Sequence, residues 1–341
     1  MNKIWYVTAL LILCAACVDQ ESIKTDSEQA QAVLVQGSGT YSRKISTKNP
    51  QAQAFFDQGL RLAWGFYFPE SIASYQEAAR MDPDHPMPFW GMAHAMGPNP
   101  NSRYARMPDD PKGEGLKAIN KALDRIDRAT PLEAKLIHAL HVLYDQQTIS
   151  DQDDRDQAYL TAMRSLNQEY QDDPDIAALY AASYMSIRRW DYWDSEGNPK
   201  AETMPVAEAL EHIIAQGLSH PGVFHLHIHL IEASLEPERA LVSADALEAT
   251  VPIVGHVVHM PAHIYVRVAN TEKPSTITCV RKQWTSSSPT CGEITRCRIL
   301  APTLYHIAYT QDMRSTSFVT QPLCKATTKP LVKPRGEWPT G

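Results

Sequence analysis

Between residues 51 and 268, apolar side chains recur every three to four positions, in runs separated by polar or proline-containing turns. That is the period of a helix with one buried face. The pattern predicts helices over 51–62, through Phe55, Phe56, Gly59 and Leu62, and over 70–81, through Ile72, Tyr75, Ala78 and Ala79. Further helices are expected over 87–96, 115–126, 131–146, 156–170, 175–187, 206–218, 222–234, 237–250 and 254–268. Thr130-Pro131-Leu132-Glu133 is a strong start signal: a capping threonine, proline at the first helical position and a glutamate that closes a capping box. No alternating strand pattern competes with these runs, so the body is expected to be all-α.

A second regularity lies on top of the first. Ser71, Ala162, Ala209 and Ala240 each precede a proline by twelve positions, at Pro83, Pro174, Pro221 and Pro252. Ala118 stands twelve before Thr130-Pro131 as a looser fifth case. A small residue lets two helices of a hairpin approach closely, and a proline is expected to end the second one because it lacks an N–H. Recurrence of such a unit marks stacked helical hairpins, none of which can bury its apolar face alone. The small residues are spaced by 47, 44, 47 and 31, so the array is divergent and carries insertions.

Phe55, Gly59, Leu62, Ser71, Tyr75, Ala78 and Pro83 fall at the spacings of a tetratricopeptide repeat, with Leu62 where an aromatic is usual. Together with Phe56-Asp57-Gln58-Gly59-Leu60, Phe89-Trp90-Gly91-Met92-Ala93, Glu236-Pro237-Glu238-Arg239-Ala240 and His259-Met260-Pro261-Ala262-His263-Ile264-Tyr265, residues 50–268 resemble a group of bacterial tetratricopeptide-repeat (TPR) proteins, many of lipoprotein type. The resemblance implies an α-solenoid of TPR-like hairpins and a non-catalytic scaffold role, binding a protein or peptide partner. It carries over no catalytic residue and no cofactor. Phe55, Trp64, Phe89, Trp90, Tyr180 and Tyr184 are aromatic candidates either for that binding face or for the core.

Residues 1–16 read as a targeting segment, with Lys3 before an apolar stretch too short to span a bilayer. The stretch ends Leu13-Cys14-Ala15-Ala16-Cys17, which resembles a bacterial lipobox with Cys14 where leucine is usual. The implication is lipid attachment at Cys17 and a cell-envelope location. That place is expected to be the outer membrane facing the periplasm, because Val18 replaces the aspartate that signals inner-membrane retention. An ordinary secretory signal cut after Ala16 is the alternative. The polar residues 17–49 are expected to be a flexible tether. Membrane contact is expected through the lipid only.

Charge and composition change abruptly near Val268. Residues 1–269 carry 22 Lys+Arg against 35 Asp+Glu, whereas residues 270–341 carry 10 against 4. The acidic body argues against nucleic-acid binding. The tail holds 19 Ser+Thr and the cysteines Cys279, Cys291, Cys297 and Cys324, with no helical period. Reading it one base out of register from Ala269 permits an acidic helical run. Its first alanine lies level with Pro274, which is 34 positions after Ala240, the tetratricopeptide period. Residues 269–341 are therefore expected to be either an out-of-frame tail or a disordered one, and sequencing the gene around codon 269 distinguishes the two.

Eight of the thirteen histidines lie in residues 212–263. His225 and His229 are four apart and share a helix face, while His227 points elsewhere. His256, His259 and His263 follow a three-then-four spacing on one face. Packed together, these five imidazoles would suit zinc or copper, with Glu232 a nearby carboxylate. A metal-binding protein or metal-dependent enzyme is thus the alternative to the scaffold, with histidines that merely pack and hydrogen-bond as the third possibility. Trp190, Tyr192 and Trp193, among Asp191, Asp194 and Glu196, could bind a ligand or anchor a loop.

Overall fold

The computed structural model describes residues 30–101 and 109–271. The targeting segment with Cys17, and the tail from residue 272 on, lie outside the described residues. Twelve α-helices are described: α1 (Pro50–Trp64), α2 (Phe68–Met81), α3 (Pro86–Ala95), α4 (Pro111–Leu123), α5 (Pro131–Tyr144), α6 (Gln152–Glu169), α7 (Pro174–Arg188), α8 (Thr203–Ala215), α9 (Pro221–Ile231), α10 (Leu241–Thr250), α11 (Gly255–His259) and α12 (Pro261–Thr271). No strand occurs among the described residues beyond an isolated bridge between Trp193 and Pro199. The fold is all-α, with helix packed on consecutive helix from α1 through α10. In addition α1 rests on α3 and α9, and α7 on α9. None of these helices is long and apolar enough to cross a membrane.

Pro83 and Pro252 stand just beyond the ends of α2 and α10, as expected, and Pro131 opens α5 as its capping box predicts; Pro174 and Pro221 act differently from the expectation. Pro174 and Pro221 open the following helices rather than ending the preceding ones, behind side-chain caps from Asp173 and His220, as Pro131 does behind Thr130. At a first helical position the missing N–H is one that would have no intrahelical partner anyway. Pro261 divides the helix expected over 254–268 into α11 and α12. The helix expected from 237 begins as a 3₁₀ turn, Pro237–Ala240, before α10.

Close helix approach is visible around Tyr75, which is fully buried. A Cβ at Gly59 would lie 2.8 Å from its ring, and one at Gly91 only 2.4 Å away. Only hydrogen at both positions lets α1 and α3 close on the α2 tyrosine. The six aromatic candidates Phe55, Trp64, Phe89, Trp90, Tyr180 and Tyr184 are all buried, so they belong to the core.

Residues 30–49, expected as part of the tether, are instead laid along the helices. Ser46 donates to Glu133 of α5 (2.7 Å), Arg43 to Asp173 ahead of α7 (2.9 Å), and the Ser38 carbonyl accepts from Arg61 of α1 (2.7 Å). Ile45 is buried at 2% exposure. The strap meets α1, α7 and α9 at Asp175. That carboxylate accepts from Tyr41 (2.6 Å), Arg43 (3.0 Å), Trp64 Nε1 (3.2 Å) and His220 Nε2 (3.0 Å). Burial alone would raise the Asp175 carboxyl. His220 and Arg43 outweigh it and hold the group well below the usual carboxylate range.

Candidate metal centre

Helix α9 carries Phe224-His225-Leu226-His227-Ile228-His229 into the core, and all three of its histidines are buried. Its N-terminal turn sits on Trp64, where a Cβ at Gly222 would come within 2.5 Å of the indole. That contact places His225 against the end of α1. His225 Nδ1 donates to the Trp64 carbonyl at 2.6 Å. A carbonyl can only accept, so Nδ1 carries the proton and Nε2 presents its lone pair.

One turn later, His229 Nδ1 lies 3.3 Å from Glu232 Oε1. The same reasoning leaves His229 Nε2 with its lone pair. That atom is buried and makes no hydrogen bond within the protein. A buried, unsatisfied nitrogen costs free energy of about 1–3 kcal/mol, so it calls for an explanation. Across the gap, α11 supplies His256, whose Nε2 is 3.0 Å from His225 Nε2. One ring nitrogen from each of His225, His229 and His256 lies within 4.8 Å of the others. Zinc–nitrogen bonds of ~2.0–2.1 Å put tetrahedral ligands about 3.3 Å apart, so one pair is already near that distance and the rest need small ring rotations.

Electrostatics keep these imidazoles in the ligand form. Burial lowers all three; for His256 the neighbouring His225, and for His225 the neighbouring His229, lower them further. His225 and His256 sit well below the ordinary histidine value, hence neutral near pH 7. Metal binding to them therefore releases few protons. Glu232 is the opposite case. Burial would raise its carboxyl, but hydrogen bonds from His229 and His263 offset this and hold it at about 2. Its charge makes it the carboxylate partner that metal-ligating histidines commonly have behind them.

His263 of α12 bonds Glu232 Oε2 through Nδ1, and its Nε2 lies 3.4 Å from His259 Nε2. All five histidines singled out in the sequence therefore converge. The others do not. His227 points away, to Ser243 (2.8 Å) and Glu211 (3.3 Å), and His220 caps α9.

Two aromatic walls enclose the trio, and neither was evident as such in the sequence. Phe66 packs on His225 with ring centroids 4.4 Å apart, and on His256 at 5.3 Å. Trp190 meets His229 edge-on at 4.9 Å. Both have left-handed backbones, with φ of 60° and 65°, a conformation that costs a bulky residue about 1–3 kcal/mol. Strain of this kind at two residues facing one cluster points to function there. Tyr192 and Trp193 anchor the loop instead. Tyr192 is buried at 1% exposure, and Trp193 Nε1 donates to the Leu230 carbonyl at 2.6 Å. Set against known proteins, the chain matches no family model, no curated protein and no solved structure.

Proposed function

We propose that this chain is a transition-metal-binding protein whose all-α body holds a zinc or copper ion through His225, His229 and His256. The observation that carries this reading is the buried His229 Nε2, which has a lone pair, no protein partner, and two neutral imidazole nitrogens beside it. Imidazole suits both metals, and three histidines leave a further coordination position for water or a substrate. A TPR-like scaffold that grips a peptide has less support. Its aromatic candidates are core residues, and the chain's own residues 30–49 line helix starts at α5 and α7. A lipid anchor at Cys17 would put the centre at the cell envelope, and loss of palmitate labelling in Cys17→Ala tests that part.

The metal reading is tested by equilibrium dialysis of the full chain, with its six cysteines alkylated, against zinc and against copper(II). At least one tightly held ion per chain is expected, lost in the His225→Ala, His229→Ala double variant. Binding no greater than background, or unchanged in the double variant, would refute it.

A further inference from the structure

Two histidines of the cluster stand outside the trio of His225, His229 and His256. His259 ends α11 and His263 lies in the first turn of α12, four positions on. Their Nε2 atoms are 3.4 Å apart and their rings cross at 81°. Two nitrogens on one tetrahedral zinc sit about 3.3 Å apart, so this pair already has a chelating bite. His263 Nδ1 faces a carboxylate oxygen and therefore carries the proton, which turns the Nε2 lone pair toward His259.

The decisive feature is Glu232. One of its oxygens bonds His229 of the inner trio and the other bonds His263 of the outer pair. A single buried carboxylate thus sets the tautomer of one imidazole in each group. In the outer group that tautomer turns the His263 Nε2 toward His259 Nε2, with which it shares a hydrogen bond that a metal ion would replace. The two groups also differ in access. His225 and His229 are buried and His256 is half-buried, whereas His259 is exposed and His263 is 23% exposed. Ring centroids 5.4 Å apart for His256 and His259, and 5.9 Å for His229 and His263, put the pair beside the trio.

We infer that His259 and His263 form a second, outer metal position that takes a divalent transition-metal ion, zinc or copper, directly from solution. This rests on the metal reading of the inner trio. With two protein ligands and the rest of the coordination shell supplied by water, the outer position is the weaker of the two.

The test is calorimetric titration of the full chain, cysteines alkylated, with zinc alone, paired with a count of bound metal. Two ions per chain in two separable steps are expected. His259→Ala removes the weaker step and leaves the tight one; the replaced side chain is exposed, and a thermal melt confirms that the fold is kept. The His225→Ala, His229→Ala variant removes the tight step. One ion per chain with an isotherm indifferent to His259→Ala overturns the outer position and leaves the inner reading standing. One step that His259→Ala weakens makes His259 a fourth ligand of the inner ion, and also overturns it. Two steps that both survive His259→Ala overturn it as well. Binding of neither zinc nor, in a parallel titration, copper(II) overturns both readings.

Discussion

Acidification is the perturbation that separates this protein from one stabilised mainly by carboxylates. His94 is buried, stacked on Trp90 at 5.3 Å, and its Nδ1 has no hydrogen-bond partner. Burial pushes its pKa down to about 4; the facing charge of Asp175 raises it, but by less. His225 is likewise held well below the ordinary value, by burial first and by His229 second. Both groups stay neutral in the folded chain while the unfolded chain binds protons below about pH 6.5. The unfolded state then holds more protons, so stability falls as pH falls, starting near 6.5 and continuing toward the folded pKa. At pH 5.5 His94 removes about 1.4 kcal/mol, and His225, His229 and His256 act in the same direction. Set against a typical domain stability of about 5–15 kcal/mol, this is a large fraction. In urea, with a slope of about 2–3 kcal/mol/M, the midpoint falls by at least about 0.5 M. The assay is urea unfolding followed by circular dichroism, with chelator present, at pH 7.5, 6.5 and 5.5. The depressed carboxyls Glu232 and Asp175 lose their contribution only below their unfolded values near pH 4, so they cannot mimic the effect. His94→Phe removes about 1.4 kcal/mol of the decline at pH 5.5 and leaves the part that His225, His229 and His256 supply. A midpoint that holds steady from pH 7.5 to 5.5, and falls only near pH 4, would contradict the assignment of neutral buried histidines.

Three further outcomes follow from the packing and the site. Gly91→Ala drives a Cβ to within 2.4 Å of the immobile Tyr75 ring and destabilises the protein by about 2 kcal/mol, read as a lowered thermal midpoint; an unchanged midpoint would mean that α2 and α3 separate freely. Asp175→Asn leaves Arg43 with less charge opposite it in a buried setting, costs about 3 kcal/mol and makes residues 30–49 sensitive to limited proteolysis; resistance equal to the parent would show that the strap is held elsewhere. Copper(II) quenches tryptophan fluorescence, and Trp190→Phe reduces the quenched fraction because Trp190 is 4.9 Å from His229; equal quenching in the variant would place the ion away from that wall.

Helices were legible wherever one face of a run is apolar, and so was the shared face of His225 and His229. Their convergence with His256, His259 and His263 followed from the same spacing once α9 and α11–α12 were placed together. What could not be read is held by distant partners. Residues 30–49 look like a tether because Ile45 is isolated among polar residues. Its neighbours Tyr41, Arg43 and Ser46 nevertheless find their partners at Asp175, Asp173 and Glu133, about a hundred positions away. Pro174 and Pro221 open helices where spacing alone suggests an end, because a proline that ends one helix and one that opens the next look alike without the cap. The supports of the candidate site were the least visible. Trp64 contributes a carbonyl, which has no side-chain signature, and Phe66 contributes a strained backbone that sequence does not display. Glu232 stood out as a nearby acid, but its double attachment depends on how α12 meets α9.

The central claim is that a metal ion belongs between α9 and α11. Crystals of the full chain grown with zinc, with diffraction recorded on both sides of the zinc absorption edge, test it most directly. The account predicts an anomalous peak within about 2.0–2.1 Å of ring nitrogens of His225, His229 and His256. A zinc-saturated crystal with no peak among those three rings, and His229 Nε2 bonded to a water molecule instead, would contradict it.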